Sequence, residues 1–276
     1  GLKEATGKYV KVLDADDYYD PSTLSSFLRT IKELDVDMIV TDFDIVDEND
    51  KQTEKAMFPY PQNRIFSMEE LSMETITYLW HHSVTHKTKN LRAISYRQSE
   101  GVSYSDDEWV FKPISIVDTI YYIPGILYHY LIGREGQTID RKVYFKSRRS
   151  KLIVTEELVD FYAKNQSKMK EINSCFLGEK LFERVRVLYK VFLLSYYNKE
   201  GLKELEKFDE ILCRKNPELY QRIGSLTLNT ADFHYVNHWR KANYKNTYIM
   251  SFIRFYRNNK SKLLRIPQNK INPYKR

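Results

Sequence analysis

Apolar residues in the first part of the chain follow two different periods, and each period predicts a different element. The β-branched and aromatic residues from Tyr9 to Leu13 are typical of a strand, as are those from Val36 to Thr41. Between these segments, apolar residues recur at the spacing of one helix face: Leu24, Phe27, Leu28, Ile31 and Leu34. Strands and helices continue to alternate to about Ile139, which predicts an α/β domain.

From about Arg141 onward the pattern becomes helical. One apolar stripe contains Leu181, Val185, Leu188 and Phe192, and a second contains Leu202, Leu205 and Phe208. Asn216 followed by Pro217 predicts a break between helices. We therefore predict an α/β domain in residues 1–140 and a mostly α-helical extension in residues 141–276, of which residues 234–276 form a basic tail.

Three aspartates fall within four positions directly after the first predicted strand: Asp14, Asp16 and Asp17. Their mutual repulsion is costly unless a cation lies among them, and carboxylate oxygens are the ligands that hard divalent ions take. Asp20 and Pro21 then predict an N-cap and the first position of a helix. The acidic group therefore lies on a strand-loop-helix connection, which is where α/β sheets bind ligands.

Other interpretations of these aspartates fit less well. An EF-hand loop is excluded, because Tyr19 and Ser25 stand where glycine and glutamate are required. A phosphatase with an aspartyl nucleophile stays open as an alternative, although Asp17 and Tyr18 replace the small residue and the Thr or Val usual there. A solvated loop that caps a helix needs only Asp20 and leaves the other three aspartates unexplained.

A second acidic segment precedes another predicted helix. Glu100, Asp106, Asp107 and Glu108 lie within nine positions, and the apolar residues that follow share one helix face: Trp109, Val110, Ile114 and Val117. Acids at a helix N-terminus interact favourably with the macrodipole, which accounts for Glu108 but requires no adjacent pair of aspartates. The segment therefore predicts a loop that enters a buried helix and carries a candidate functional pair.

Turn and loop signals follow, with two sets of residues that we interpret as structural. Pro124-Gly125 predicts a turn between two short strands, and Gly133 and Gly136 bracket a loop. His129 lies in an aromatic strand, where packing is the expected role. A solvated loop is predicted for the acidic residues after the second strand, namely Asp42, Asp44, Asp47, Glu48 and Asp50.

The segment from Gly1 to Asp17 resembles the run of helix end, glycine turn, strand and Asp-x-Asp motif found in family 2 glycosyltransferases of GT-A fold. The resemblance is to bacterial enzymes that build capsular, exopolysaccharide or other cell-surface glycans. It implies that the chain is the C-terminal part of a GT-A domain, followed by the helical extension. The nucleotide-binding segment of that domain would precede Gly1, so a fragment without it holds half a site and need not be active alone.

The resemblance implies roles for the acidic loop. Asp14 would approach the ribose or the donor sugar, and Asp16 together with Asp14 would hold the Mn²⁺ or Mg²⁺ that bridges the diphosphate, with Asp17 as a supporting ligand. A departing nucleoside diphosphate develops negative charge that a divalent ion can neutralise. Arg134 would contact phosphate, with Gln137 and Thr138 as hydrogen-bonding neighbours.

The second segment would supply the base. Alignment on Tyr104 and Trp109 places the family's general base at Asp106, with Ser105 where glutamate is usual and with Asp107 as the alternative. A base that acts from the face opposite the leaving diphosphate gives single displacement and inversion at the anomeric carbon. His81, His82 and His86 would line the acceptor site, and without a third ligand at suitable spacing we predict no separate metal site for them.

These features predict an inverting glycosyltransferase of hexosyl or N-acetylhexosaminyl type. It would move a sugar from a nucleotide-diphosphate donor to a cell-surface glycan or lipid-linked acceptor. The alternative is a non-catalytic binding module, associated with membrane or nucleic acid, in which the acidic loops are structural. Cys175 and Cys213 indicate neither a disulfide framework nor a zinc site, which suits a reducing cytoplasm.

The net charge of +7 comes from the basic tail. Residues 234–276 contain eleven Lys or Arg and no Asp or Glu, which leaves 33 basic and all 37 acidic residues in 1–233. Apolar Ile249, Phe252, Ile253 and Tyr256 alternate there with Arg254, Arg257, Lys260 and Lys262, the pattern of a helix that lies on an anionic membrane.

Two other interpretations of the tail stay open. A helix packed on the helical extension with a solvated basic face fits as well, and the interleaved aromatic residues leave nucleic acid as a partner that we do not expect. We therefore predict a cytoplasmic enzyme with peripheral contact at the inner membrane face.

Overall fold

The computed structural model describes residues 1–49, 51–73, 79–133, 147–195, 197–228 and 231–263, the side chains of Ala231 and 260–263 excepted. The chain forms two compact units. The first contains Gly1–Gln137 and Lys164–Lys180, and the second contains Thr138–Ala163 and Leu181–Arg276. The predicted boundary at residue 140 lies outside the described residues and stays a prediction.

The first unit is a mixed α/β structure. Its strands are β1 (Tyr9–Val10), β2 (Tyr18–Tyr19), β3 (Met38–Val46), β4 (Gln52–Ala56), β5 (Ile65–Phe66), β6 (Val84–Lys87) and β7 (Ile120–Leu131). Its helices are α1 (Pro21–Glu33), α2 (Thr88–Ala93) and α3 (Asp106–Ile114), with a 3₁₀ turn at Met68–Glu70. These described strands form one sheet in the order β1-β6-β3-β7-β2, with β4 also paired to β3 and β5 to β7.

The central pair β3 and β7 is parallel, and the other pairs described in this sheet are antiparallel. All nine residues of β3 are buried, as expected for a strand covered on both faces. β7 runs in register with β3 from Met38 opposite Ile120 to Val46 opposite Leu131, with an irregularity near Asp42. This pair forms the floor on which the acidic loop is held.

Helix α1 forms as predicted, with one exception in its apolar stripe. The Asp20 carboxylate accepts a hydrogen bond from the Thr23 N–H at 2.6 Å, which confirms the N-cap. Phe27 is buried against Val36, Ile39 and Leu127, and Leu24, Ile31 and Leu34 pack around them. Leu28 is 47% exposed, because it lies at the edge of the stripe, one helical step from Phe27.

The first predicted strand is shorter than expected. It ends at Val10, and Leu13 is exposed. Beyond that point side chains take the place of a strand partner, since the Tyr19 hydroxyl donates to the Val12 carbonyl at 3.1 Å.

The second predicted strand is longer than expected, so the predicted solvated loop is wrong for two of its aspartates. Asp42 and Asp44 lie inside β3 and are buried. Asp42 tolerates burial because its carboxylate accepts hydrogen bonds from the Tyr122 hydroxyl, the Gly125 N–H and the Phe58 N–H.

Pro124-Gly125 is likewise no turn between strands. It is the irregular point of the single strand β7, where Gly125 has a φ of 120°. A positive φ of this size favours glycine, which explains the residue type at this position.

The C-terminal part is helical, as predicted. Its elements are α4 (Arg148–Asn165), a 3₁₀ turn at Gln166–Lys168, α5 (Glu171–Lys190), a π-helical segment at Val191–Ser195, α6 (Lys199–Lys215), α7 (Pro217–Gly224), β8 (Thr227–Leu228), β9 (Ala231–His234), α8 (Tyr235–Lys241) and α9 (Tyr248–Leu263). Both predicted apolar stripes are buried. Asn216 caps α7 through the Leu219 N–H, and Pro217 occupies the first helical position.

A buried ion pair joins two helices of the second unit. The Arg240 guanidinium donates to the Asp209 carboxylate at distances from 2.7 Å, and the Tyr189 and Tyr244 hydroxyls donate to the same carboxylate. The Asp209 side chain is fully buried. Its negative charge is therefore balanced by the guanidinium, and both of its oxygens accept hydrogen bonds.

Candidate functional site

The acidic loop between β1 and β2 is fixed to β7. The Tyr128 hydroxyl donates to the Asp17 carboxylate at 2.5 Å and accepts from the Asp14 N–H at 3.2 Å. The Leu131 N–H donates to the other Asp17 oxygen at 2.9 Å. Asp17, predicted as a supporting ligand, therefore holds the loop on the central strand, and burial raises the pKa of its carboxyl.

His81 joins the two acidic segments that the sequence predicted separately. Its Nε2 lies 3.1 Å from the Asp14 carboxylate, and its Nδ1 lies 3.5 Å from the Asp106 carboxylate. The His81 side chain is buried, whereas both carboxylates are about half exposed. The hydrogen bond from His81 holds the pKa of the Asp14 carboxyl below its usual range.

The neighbouring His82 is buried and has no hydrogen-bond partner for either ring nitrogen among the described residues. Its ring lies 3.7 Å from the His81 ring, centroid to centroid, and four aromatic rings surround it: Phe43, Trp80, Tyr128 and Tyr130. Burial lowers the pKa of His82 well below its ordinary value. The neutral ring keeps a lone pair, as a metal ligand requires.

Lys11 supports the turn that carries these histidines. Its ammonium donates to the His82 carbonyl at 2.6 Å, and burial lowers the pKa of Lys11 to about 7. The Ser83 hydroxyl closes the same turn by donating to the Trp80 carbonyl at 2.7 Å. These two hydrogen bonds fix the backbone of the turn from which both imidazoles extend.

One group of side chains in the described part of the chain could hold a metal ion. Asp14, His81 and His82 each offer a ligand atom, and these atoms lie within 4.8 Å of one another. Asp16 is not a member of this group, so its predicted role as a ligand stays a prediction. Sequence reasoning missed the two histidines as candidate ligands because the third donor, Asp14, is far from them in the chain.

Helix α3 presents the candidate base. Asp106 begins the helix, its side chain is 48% exposed, and its carboxylate lies 3.5 Å from His81 Nδ1. Glu108 is structural, since its carboxylate pairs with Lys112 and accepts from the Ser99 N–H at 3.1 Å. The choice between Asp106 and Asp107 stays open, although the contact with His81 favours Asp106.

The other predicted residues divide into two groups. Arg134, Gln137 and Thr138 lie outside the described residues. His86 is buried, its Nε2 lies 2.9 Å from the Trp109 carbonyl, and its pKa is lowered to about 3 by burial, so it is a core residue and the acceptor-site expectation is wrong for it. His129 packs as predicted, with its ring stacked on Tyr18 and its Nδ1 2.6 Å from the Asp44 carboxylate.

Comparison with known proteins relates the first part of the chain to a known family. Residues 1–110 match the family model described as glycosyl transferase family 2. A comparison with curated protein sequences found no match. Among solved structures, 41 chains match, and two of them are crystal structures of S. aureus TarS.

The TarS structures resemble the chain in fold at low sequence identity. The 1–349 form superposes with a TM-score of 0.56 at 14% identity, over 95% of this chain and 68% of TarS 1–349. The longer TarS structure superposes with a TM-score of 0.53 at 13% identity, over 94% of this chain and 41% of the TarS chain. Residues 1–110 are therefore similar to glycosyl transferase family 2, and the whole chain has a GT-A fold followed by a helical C-terminal part.

Proposed function

We propose that this chain acts in inverting glycosyl transfer, with Asp106 as the general base. The observation that carries this proposal is the position of His81, whose two ring nitrogens face the carboxylates of Asp14 and Asp106. In a single displacement, the base and the leaving diphosphate act on opposite faces of the anomeric carbon. Two half-exposed carboxylates on either side of one buried imidazole provide a donor side and an acceptor side.

The donor would be a nucleotide-diphosphate sugar, hexosyl or N-acetylhexosaminyl, bound on the side of Asp14 and Asp16. The acceptor hydroxyl would approach Asp106, whose exposed oxygens can accept its proton, and it would belong to a bacterial cell-surface glycan or lipid-linked acceptor. Arg134, Gln137 and Thr138 stay in the proposal as phosphate contacts. These assignments rest on the resemblance to family 2 enzymes.

A divalent metal ion fits the donor side. The buried imidazole of His82 has no hydrogen-bond partner among the described residues, which is otherwise costly, and it offers a ligand atom within 4.8 Å of those of Asp14 and His81. Nitrogen ligands suit Mn²⁺ better than Mg²⁺, which prefers oxygen, so of the two predicted ions we propose Mn²⁺. Asp16 would add an oxygen ligand, and the bound ion would neutralise charge on the departing diphosphate.

Asp106 would also set the tautomer of His81. With the ring proton on Nδ1, toward the Asp106 carboxylate 3.5 Å away, Nε2 would offer its lone pair to the ion in place of its hydrogen bond to Asp14, an arrangement common behind metal-bound histidines. The same residue thus connects the base to the ligand set, which explains why a histidine stands between two aspartates.

The test measures nucleoside diphosphate release by the intact protein from a panel of nucleotide sugars, after EDTA treatment and after addition of Mn²⁺ or Mg²⁺. We expect release that requires a metal, is higher with Mn²⁺, and falls about 100-fold in Asp14→Asn and in His82→Gln. Asp232→Asn is the control, because that side chain is 93% exposed in the second unit. Product anomers are assigned by NMR.

Each outcome bears on one part of the proposal. Undiminished nucleoside diphosphate release in EDTA would contradict the role of a metal ion. A product that retains the donor configuration would contradict single displacement. Donor binding without any transfer would favour the non-catalytic binding module instead.

A further inference from the structure

Helix α9 carries the most exposed cluster of large apolar side chains in the described part of the chain. The exposed fractions are 97% for Tyr248, 69% for Phe252, 61% for Phe255, 50% for Ile249 and 46% for Tyr256. At 100° per residue, these positions fall within about one third of the helix circumference. They form one continuous outward surface, which we call the aromatic face.

The opposite side of α9 is fixed to its own unit. Met250 is buried, and Arg254 is only 6% exposed. The Arg254 guanidinium donates to the Leu193 carbonyl at 2.8 Å, in the π-helical segment, and also to the Asn246 side chain. The orientation of the helix is therefore set, and the aromatic face points away from the unit to which it is bound.

This arrangement corrects two expectations from the sequence. Arg254 was expected among the solvent-facing charges, but it is buried, and its guanidinium donates to the Leu193 carbonyl of a neighbouring segment. A stripe packed on the helical extension was the competing interpretation, and it is wrong for Ile249, Phe252 and Tyr256, which are exposed. Of the predicted stripe, Ile253 is partly buried.

The charge around the aromatic face favours an anionic bilayer as its partner. From residue 234 to the end, the charged residues in the sequence are all basic, and they include Lys245 just before α9 and Lys260 and Lys262 in its last turn. Tyrosine and phenylalanine are suited to the headgroup boundary, and basic side chains beside them are attracted to anionic lipid.

The same composition argues against a symmetric dimer and against nucleic acid. A two-fold contact through α9 would bring together two segments whose charged residues are all basic, with no acidic residue on the helix to pair with them. Protein surfaces that bind nucleic acid present many cations to the phosphates, whereas on α9 Arg254 is buried and the exposed side is largely apolar.

We propose that α9 is an interfacial helix that lies on an anionic phospholipid bilayer, with the aromatic face in the headgroup region. None of the described helices is both long and apolar enough to cross a membrane, so the contact would be peripheral. The contact is independent of the sugar-transfer proposal, since it involves no residue of the candidate site.

Cosedimentation with vesicles tests the proposal. We expect the intact protein to bind vesicles of phosphatidylglycerol and phosphatidylcholine, and to bind pure phosphatidylcholine more weakly. Phe252→Ser with Phe255→Ser should lower the partition coefficient about tenfold or more, because two apolar side chains no longer enter the lipid. Leu28→Ser, on an exposed position of α1, is the matched control and should bind as the parent does.

A fluorescence measurement covers the case in which the double variant unfolds. Tyr248→Trp changes a side chain that is almost fully exposed, and brominated lipid should quench its added emission above that of the three native tryptophans. Equal vesicle binding by parent and double variant, or no added quenching, would overturn the proposal. The proposal would also be overturned if the parent protein did not bind vesicles and instead formed a dimer, or bound DNA, that the double variant lost.

Discussion

Asp209 in the second unit and Asp14 in the first are both held close to a cationic or potentially cationic group, but their surroundings differ. Asp209 is fully buried, and it accepts hydrogen bonds from Arg240, Tyr189 and Tyr244. The Asp14 side chain is 47% exposed and contacts His81 through one oxygen, beside the unpartnered ring of His82. The Asp209 carboxylate is saturated with hydrogen-bond donors, whereas the Asp14 carboxylate keeps acceptor positions open.

The difference separates charge that stabilises a fold from charge available for chemistry. A buried carboxylate with too few hydrogen-bond donors destabilises the fold by several kcal/mol, so a structural carboxylate needs donors for both of its oxygens. A carboxylate that must meet a metal ion or substrate has to leave acceptor positions unused. Substitutions should therefore affect stability around Asp209 and activity around Asp14 and Asp106.

The largest effect is expected for Asp106→Asn, which keeps the shape of the side chain but removes the base. Turnover should fall by about 10²–10⁴-fold while donor affinity changes little, because a proton acceptor acts mainly in the transition state. Steady-state kinetics with donor titration would measure both. Loss of turnover in Asp107→Asn, with Asp106→Asn active, would transfer the role by one residue.

On the structural side of the comparison, Asp209→Asn should lower the free energy of unfolding by about 3–5 kcal/mol, because Arg240 would stay buried without its counter-charge. Urea denaturation followed by circular dichroism measures this. Asp232→Asn is the matched control, since an exposed carboxylate should change stability by less than about 0.5 kcal/mol. Equal stability of the two variants would contradict the distinction drawn between the sites.

Tyr128→Phe tests a residue that is structural and lies within the site. The change removes one hydroxyl that contacts both Asp17 and the Asp14 N–H, and it should cost about 1 kcal/mol of stability. We expect a several-fold rise in the donor KM with little change in kcat, because the acidic loop loses its position. A drop in kcat alone would assign Tyr128 to the chemical step.

The smallest effect is expected for Asp20→Ala, at the N-cap of α1. The free energy of unfolding should fall by about 1 kcal/mol at pH 7. Hydrogen bonds from Ser22 and Thr23 lower the pKa of Asp20 to about 2, so its contribution is present above the unfolded pKa near 4 and disappears as the pH falls through 2. Urea denaturation of parent and variant at pH 7 and pH 3 should show the difference shrinking at the lower pH.

Local patterns predicted the elements that carry the site. The acidic loop, the cap at Asp20 and the apolar face after Asp106 depend on residues within one turn of each other, so periodicity and spacing identify them. The family resemblance, through the Asp-x-Asp segment, added the GT-A fold with its helical extension, and the structure confirms both.

Features that depend on distant partners were missed. Nothing in the sequence near Asp42 shows that Tyr122 and Gly125 will satisfy it, so a polar residue inside a strand was interpreted as a loop. The contact of His81 with Asp14 requires the sheet to bring β6 beside β1. On α9 the periodicity identified an apolar stripe but not which side faces the protein, because that depends on the Leu193 carbonyl.

The chain separation of the contacts has a consequence for how the molecule folds. Asp14 and His81 are 67 residues apart, and Asp17 and Tyr128 are 111 apart, whereas Tyr189 and Asp209 are separated by 20. Closing long loops costs more entropy and slows folding, so local helical pairs form first. After dilution from denaturant, the helical signal should recover before the protein regains the ability to bind a donor.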